Sequence, residues 1–398
     1  LKPSSNQTVA PYRRSWWHKA FAMAAGAAIE IPYGKRYDTS RANSGSSAQW
    51  NRVIQKYLDK VTPSSLYPDL PQPSADMAVL QRDFMRWGYC LVKDALSPVQ
   101  VEAAKERLLD QAAAEEVAKV AMKGSPAKNN TPWAGSRQLV SNLASKGKIF
   151  RDIASFETAG GPIIEQLMER ILGRGYLIGS MHGVVVEQGA GMQTLHQDGH
   201  GEIPMPHPPY PLYANIIYMY TDFSLENGGT YVLPGSHADE TGASVVITPD
   251  TDPDELIRRS AHGIVALTAP AGTCFVSDGR IIHAGAPRTA PGVRLGNNVY
   301  YCRSTQRQQE NPFVTFCALE DASPKLKRLL GLTGLGFGMR HSRPSARMPV
   351  GELSMSRPDE LNQDFDFYYS QEGQFYAAET KGATAMYKGP RKAAKAKL

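Results

Sequence analysis

From Gly175 onward the chain alternates short apolar runs with Gly- and Pro-containing turns, and no convincing helical stretch separates one run from the next. Candidate strands cover 176–188, 193–198, 213–221, 230–233, 263–267, 273–277, 280–283 and 294–303, punctuated by Gly228-Gly229, Pro234-Gly235 and Asp278-Gly279. About eight short strands without intervening helices predict a closed or double-sheet antiparallel fold, a cupin-like jelly roll. Helices precede it. Met77, Leu80, Phe84 and Trp87 lie at helical spacing, and Ser97 and Gln100 form a capping box ahead of Val101, Ala104, Leu108 and Leu109. A third helix is expected over 162–172, with Ile164, Leu167, Met168 and Ile171 inward and Gly173 as its stop.

His196-Gln197-Asp198 closes one predicted strand. Side chains at i and i+2 share a strand face, so an imidazole nitrogen and a carboxylate oxygen there can converge on one cation. A second histidine from a distant strand, His283, would complete two histidines and one carboxylate, the facial triad of non-haem iron(II) oxygenases. His196, Asp198 and His283 are therefore the candidate metal ligands and catalytic residues. H-x-D alone is weak evidence, because a surface histidine bonded to an aspartate reads the same way.

Arg294 strengthens the case. It follows His283 across a Gly/Pro turn and opens the last strand. A barrel-lining guanidinium must find an anion, and its planar fork suits a carboxylate. Arg280 and Arg288 read instead as surface ion pairs.

These residues resemble the phytanoyl-CoA dioxygenase-like iron(II)/2-oxoglutarate oxygenases. The resemblance covers about 80–320. It includes Gly88-Tyr89, Leu91-Val92, Leu96-Ser97, Gln193 to Asp198, Glu226 to Gly229, Leu233 to His237, His283 and Arg294. It implies a double-stranded β-helix, iron(II) on His196, Asp198 and His283, and 2-oxoglutarate and O2 as co-substrates, with Arg294 gripping the far carboxylate of 2-oxoglutarate. Succinate and CO2 would be released as a small organic or lipid-like metabolite is hydroxylated, desaturated or cyclised. One departure stands out: Gly285 occupies a position where such enzymes often carry a serine that helps hold the same carboxylate. Another hydroxyl, or Arg294 alone, must serve.

Other candidates carry two readings each. Asn215, Ile217 and Met219 alternate on one strand face, so Asn215 can donate to 2-oxoglutarate if that face is inward; Gln193 can do the same or satisfy backbone groups. Tyr301 and Arg303 share a face, where Arg303 meets an anionic substrate or an external ion pair. His200 is a second-shell or surface residue, and His237 reads as structural. Segments 123–135 and 201–213 are expected to lid the pocket. Two rival functions stay open: a divalent-metal hydrolase or isomerase using the same triad, and a binding protein with a relic barrel.

Composition bounds the rest. Hydrophobic residues at 42% and charged residues at 21% suit a globular chain with a buried core. The 398 residues divide into an N-terminal extension (1–75), the oxygenase domain (76–320) and a C-terminal extension (321–398) with a basic tail. Net charge is only +6, so no nucleic-acid partner is expected, and no apolar run reaches the ~18 residues of a membrane span. Four cysteines without a C-x-x-C pair suit a reducing compartment. A cytoplasmic monomer or homodimer is expected; Ala396-Lys397-Leu398 resembles a peroxisomal address and gives the alternative.

Overall fold

The strands, in chain order, are β1 (Val61–Pro63), β2 (Tyr89–Val92), β3 (Met122–Lys123), β4 (Arg137–Val140), β5 (Leu177–Glu187) and β6 (Tyr213–Met219). They continue with β7 (Thr230–Val232), β8 (Ile264–Ala266), β9 (Cys274–Asp278), β10 (His283–Gly285) and β11 (Val293–Cys302). The helices are α1 (Met77–Trp87), α2 (Pro98–Val117), α3 (Lys148–Ala154), α4 (Gly161–Leu172), α5 (Pro253–Ile257) and α6 (Pro324–Leu329). This computed structural model describes residues 55–123, 137–193, 195–198, 208–238, 252–310 and 322–331.

Seven strands in the order β2-β9-β6-β11-β5-β4-β3 form one sheet, and β1-β8-β7-β10 form the other. All pairings are antiparallel except β1 with β8. The fold is the double-stranded β-helix, with helices on the outer face of the larger sheet.

Alternation along each strand decides what each face carries. On β11, Leu295, Val299 and Tyr301 face the helices and join a core with Leu108, Ile164 and Met168. Residues 294, 296, 298 and 300 point the other way, into the space between the sheets. There Tyr89, Leu91, Met219 and Phe275 meet Val232 and Val265 of the smaller sheet. Tyr301 stacks on Phe156, with ring centroids 5.4 Å apart, and donates to Ala154 O at 2.9 Å. A register shift opposite Tyr300 and Tyr301 leaves Gly179 of β5 as the extra residue. A Cβ there would stand 2.5 Å from the Tyr300 ring, so glycine is required by the close approach.

The helices begin where the chain predicts. Asp76 caps α1 through Ala78 N and Val79 N, and Ser97 and Gln100 form the full capping box of α2. Gly88 ends α1 at φ 77°, and the His237 ring fills the space where its Cβ would lie. His237 Nε2 also lies 3.2 Å from Met85 O, so the residue is structural.

Three expectations need correction. Segment 193–198 is not a strand; among its described residues it meets the barrel through the bridge between His196 and His283 and through Gln193 N and Asp198 N, which donate to Gly285 O and Gly279 O. The strand expected at 280–283 begins at His283 instead, because 278–281 form a turn closed by Asp278 O and Ile281 N. Strands β1, β3 and β4 were not foreseen: Val61-Thr62-Pro63 and Arg137-Gln138-Leu139-Val140 lack alternation and are too short to signal. Among the described residues no helix is long and apolar enough to cross a membrane.

Leu108 of α2 seats over Gly183 of β5, where a Cβ would lie 2.3 Å from Leu108 Cδ1. Leu108→Ala should cost about 2–5 kcal/mol, and Gly183→Ala should destabilise through the clash. The double variant should cost clearly less than the two losses together. Urea unfolding of all three checks this; additive losses would show that the contact is not formed.

Candidate metal centre

His196 and His283 exchange backbone hydrogen bonds, each N–H donating to the other's carbonyl at 2.9 Å. This reciprocal pair places the two rings side by side, with centroids 4.5 Å apart. Asp198 follows two residues on, its N–H anchored to Gly279 O at 3.0 Å. Its Oδ1 lies 3.9 Å from His196 Nε2 and its Oδ2 lies 3.7 Å from His283 Nε2. One donor atom from each residue falls within 4.8 Å of the others. Bonds of about 2.0–2.2 Å to one divalent cation bring such donors about 3 Å apart, so small side-chain adjustments suffice.

Neighbouring groups fix the donors. His283 Nδ1 lies 3.1 Å from Ile281 O; a carbonyl can only accept, so Nδ1 carries the proton and Nε2 keeps its lone pair for a metal. Asn215 of β6 donates from Nδ2 to Asp198 Oδ2. Its side chain thus orients the carboxylate rather than standing free. Gln197 is buried and donates to Arg280 O. Arg280 forms a bidentate pair with buried Asp278 and donates to Pro208 O, so it braces the turn beside Asp198 instead of lying on the surface.

Arg294 lies on the inner face of β11. It is 5% exposed, donates from Nε to Gly228 O at 2.9 Å and lies over the Phe223 ring. The Glu226 to Gly229 turn thus positions this guanidinium.

The same cross-strand row holds a residue that sequence reasoning missed. Arg137 of β4 pairs with Val186 of β5, which pairs with Arg294 of β11. Arg137 is 2% exposed. Its Nη2 donates to Ala286 O and Gly191 O, whereas Nε and Nη1 have no partner. Among the described residues neither guanidinium forms an ion pair. Burial pushes the Arg137 pKa down to about 10. Burial, then the nearby charges of Arg137 and Arg288, pushes Arg294 down to about 9. Both stay charged at neutral pH, and a buried uncompensated charge is costly without an anion.

Gly285 explains the missing serine. A Cβ at 285 would stand 2.5 Å from Gln193 Oε1 and 2.8 Å from Arg137 Nη1. The space of that side chain is taken by the Gln193 amide, whose Oε1 accepts from Gly285 N at 2.6 Å, and by the Arg137 guanidinium.

A family model described as phytanoyl-CoA dioxygenase (PhyH) matches residues 84–296. This chain belongs to the phytanoyl-CoA dioxygenase family. Among curated relatives, it is 28% identical over 296 residues to "Dioxygenase af480" of Aspergillus fumigatus, covering 70% of this chain and 87% of that one. It is 24% identical over 230 residues to "Fe(II)/2-oxoglutarate-dependent dioxygenase nvfF" of Aspergillus novofumigatus, covering 56% and 71%. Among solved structures, EctD from S. alaskensis with bound Fe aligns at a TM-score of 0.46 and 18% identity, covering 61% of this chain and 81% of that one.

Other candidates lie apart from the triad of this family member. Arg303 donates to Pro211 O and Ile171 O and stacks on Tyr210, tying a loop to α4. Arg288 is a carbonyl clamp, donating to Gly292, Asn227 and Pro291. His200 lies outside the described residues, as do almost all of 123–135 and 201–207 of the expected lids. A second missed residue is His182 of β5, opposite Asn298 on the inner face. Burial, against the pull of Asp198, lowers its pKa to about 4.

That depression gives a pH dependence. The unfolded chain takes up a proton near the ordinary imidazole value of 6.5, whereas folded His182 resists until about 4. His182 therefore contributes stability that is present above pH 6.5 and lost as pH falls toward 4. Between pH 7 and 5 the metal-free protein should lose about 2 kcal/mol more than His182→Gln does. Denaturant unfolding at both pH values measures the difference; equal losses would show that His182 is solvated.

Proposed function

We propose that this chain is an iron(II)- and 2-oxoglutarate-dependent dioxygenase in which His196, Asp198 and His283 hold the iron. The carrying observation is the convergence of those three donors on the same inner face as two buried guanidiniums that, among the described residues, lack a carboxylate. Arg294 and Arg137 would together grip the distal carboxylate of 2-oxoglutarate. Iron(II) with 2-oxoglutarate and O2 supplies oxidative decarboxylation to succinate and CO2, coupled to oxidation of a substrate C–H bond.

The chain's own groups do the positioning. Ile281 O holds the proton of His283 on Nδ1, so that Nε2 meets the metal as a neutral ligand. Asn215 fixes the rotation of the Asp198 carboxylate. Phe223 and Gly228 O aim Arg294, and Ala286 O and Gly191 O aim Arg137. Gln193 closes the corner beside Gly285, where its amide adjoins the bound acid. Apolar inner-wall residues such as Met219 and Phe275 exclude water from this space.

A metal-dependent hydrolase has no use for two guanidiniums that lack an acidic partner among the described residues, so the oxygenase reading accounts for more of the site. The substrate is taken to be a small organic or lipid-like metabolite, which is hydroxylated, desaturated or cyclised. Cys90, Cys274 and Cys302 are buried and free, which supports a reducing setting such as the cytoplasm.

Purified protein supplied with iron(II) should release succinate from 2-oxoglutarate. His283→Ala should lose stoichiometric iron and at least about a hundredfold of that turnover. Arg294→Ala and Arg137→Ala should each raise KM for 2-oxoglutarate roughly ten- to hundredfold, the worth of a charge-assisted hydrogen bond, while iron content holds. Unchanged KM in both arginine variants would refute the clamp.

A further inference from the structure

Four cross-strand rows divide the inner wall of the larger sheet. The first is Arg137–Val186–Arg294, the proposed clamp. The row two residues along, Val184–Gly296–Met219, offers apolar groups and a glycine. The next, His182–Asn298–Ile217, lies about 13 Å from the first along the strands. One row further on, Asn215 reaches Asp198. The field of Asp198 is felt at His182, so this end of the wall lies beside the triad, opposite the arginines.

Its polar groups are uncharged, and two of their oxygens are unmet. Among the described residues Asn298 Oδ1 and Asn215 Oδ1 are buried without a hydrogen-bond partner, and the His182 ring stands beside Asn298 on the same face. Buried polar atoms in folded proteins are bonded, and both side chains stand on the inner face of the larger sheet. Two unmet carbonyl oxygens call for a donor, and a neutral imidazole gives or takes one proton. A hydroxyl meets both demands. A carboxylate or phosphate would face those carbonyls and Asp198, with both guanidiniums at the far end.

Resting on the oxygenase reading above, we propose that His182 and Asn298 bind a hydroxyl group of an uncharged organic substrate. They orient its carbon skeleton, packed on Ile217 and Val184, toward the metal. They are specificity residues for the moiety that is oxidised, and 2-oxoglutarate binding does not involve them.

The test uses the full chain loaded anaerobically with iron(II) and 2-oxoglutarate. The probes are menthol and bicyclic and tricyclic alcohols, each paired with its deoxy and carboxylate analogues and titrated by saturation-transfer NMR. Alcohols should bind in preference to both analogues. His182→Ala and Asn298→Ala should each weaken alcohol binding by about three- to tenfold, the worth of one neutral hydrogen bond. His182→Gln, which keeps a hydrogen-bonding end, should recover part of it. Affinity for 2-oxoglutarate, measured separately, should stay within about twofold in all variants. No alcohol binding, a preference for carboxylates, or an alcohol affinity untouched by both alanine variants overturns the proposal. Failure of the wild type to bind 2-oxoglutarate at all overturns the oxygenase reading, and the proposal with it.

Discussion

The reciprocal backbone pair between His196 and His283 is the contact on which the site depends. Each residue gives its N–H to the other and takes the other's in return, so neither can move along its strand direction without breaking two bonds. Asp198 then sits two residues from a fixed point, and its amide is tied to Gly279. A triad assembled from two distant segments thereby inherits the rigidity of a sheet, although 195–198 is itself not a strand. Rigid placement of ligands is what a metal centre with open positions requires.

The second constraint is electrostatic. Arg137 and Arg294 share one row of the barrel interior, and each is desolvated without an acidic partner among the described residues. Such a pair destabilises the empty fold. Backbone carbonyls of Gly228, Ala286 and Gly191 take part of the charge, and under the proposed function an anion would relieve the remainder. Function is bought here with stability, as is common for preorganised sites. Gly285 belongs to the same arrangement: removing a side chain there makes room for a second guanidinium where a hydroxyl would otherwise stand.

The two ends of the inner wall divide the labour. Charge gathers at Arg137 and Arg294, where the proposed function would hold the co-substrate's carboxylate, and neutral hydrogen-bonding groups gather at the other end of the wall. Because a strand turns alternate residues to opposite faces, each inner residue alternates with an outer one that packs against the helices. Arg294 and Asn298 of β11 therefore interleave with Leu295 and Val299 of the helix-facing core. Changes to substrate preference can be confined to inner positions without disturbing that core.

Much of this was written locally. The capping box at Ser97, the apolar stripe of α4, the strand run after Gly175 and the H-x-D element all depend on residues close in sequence, and short-range patterns carry them. His283 and Arg294 were reached from residue chemistry and position along the strand run, and family likeness supported both. Arg137 was not legible, because a lone arginine in a four-residue strand has no periodicity to announce its face; only its pairing with Val186 puts it beside Arg294. His182 was hidden for the same reason, and the roles of Arg280, Arg288 and Arg303 were decided by carbonyls and a carboxylate that tertiary packing brought to them. The sequence by itself determined which elements form and which donors exist. Tertiary structure alone decided which of them share one interior, since sheet register, not chain proximity, sets what a buried side chain meets.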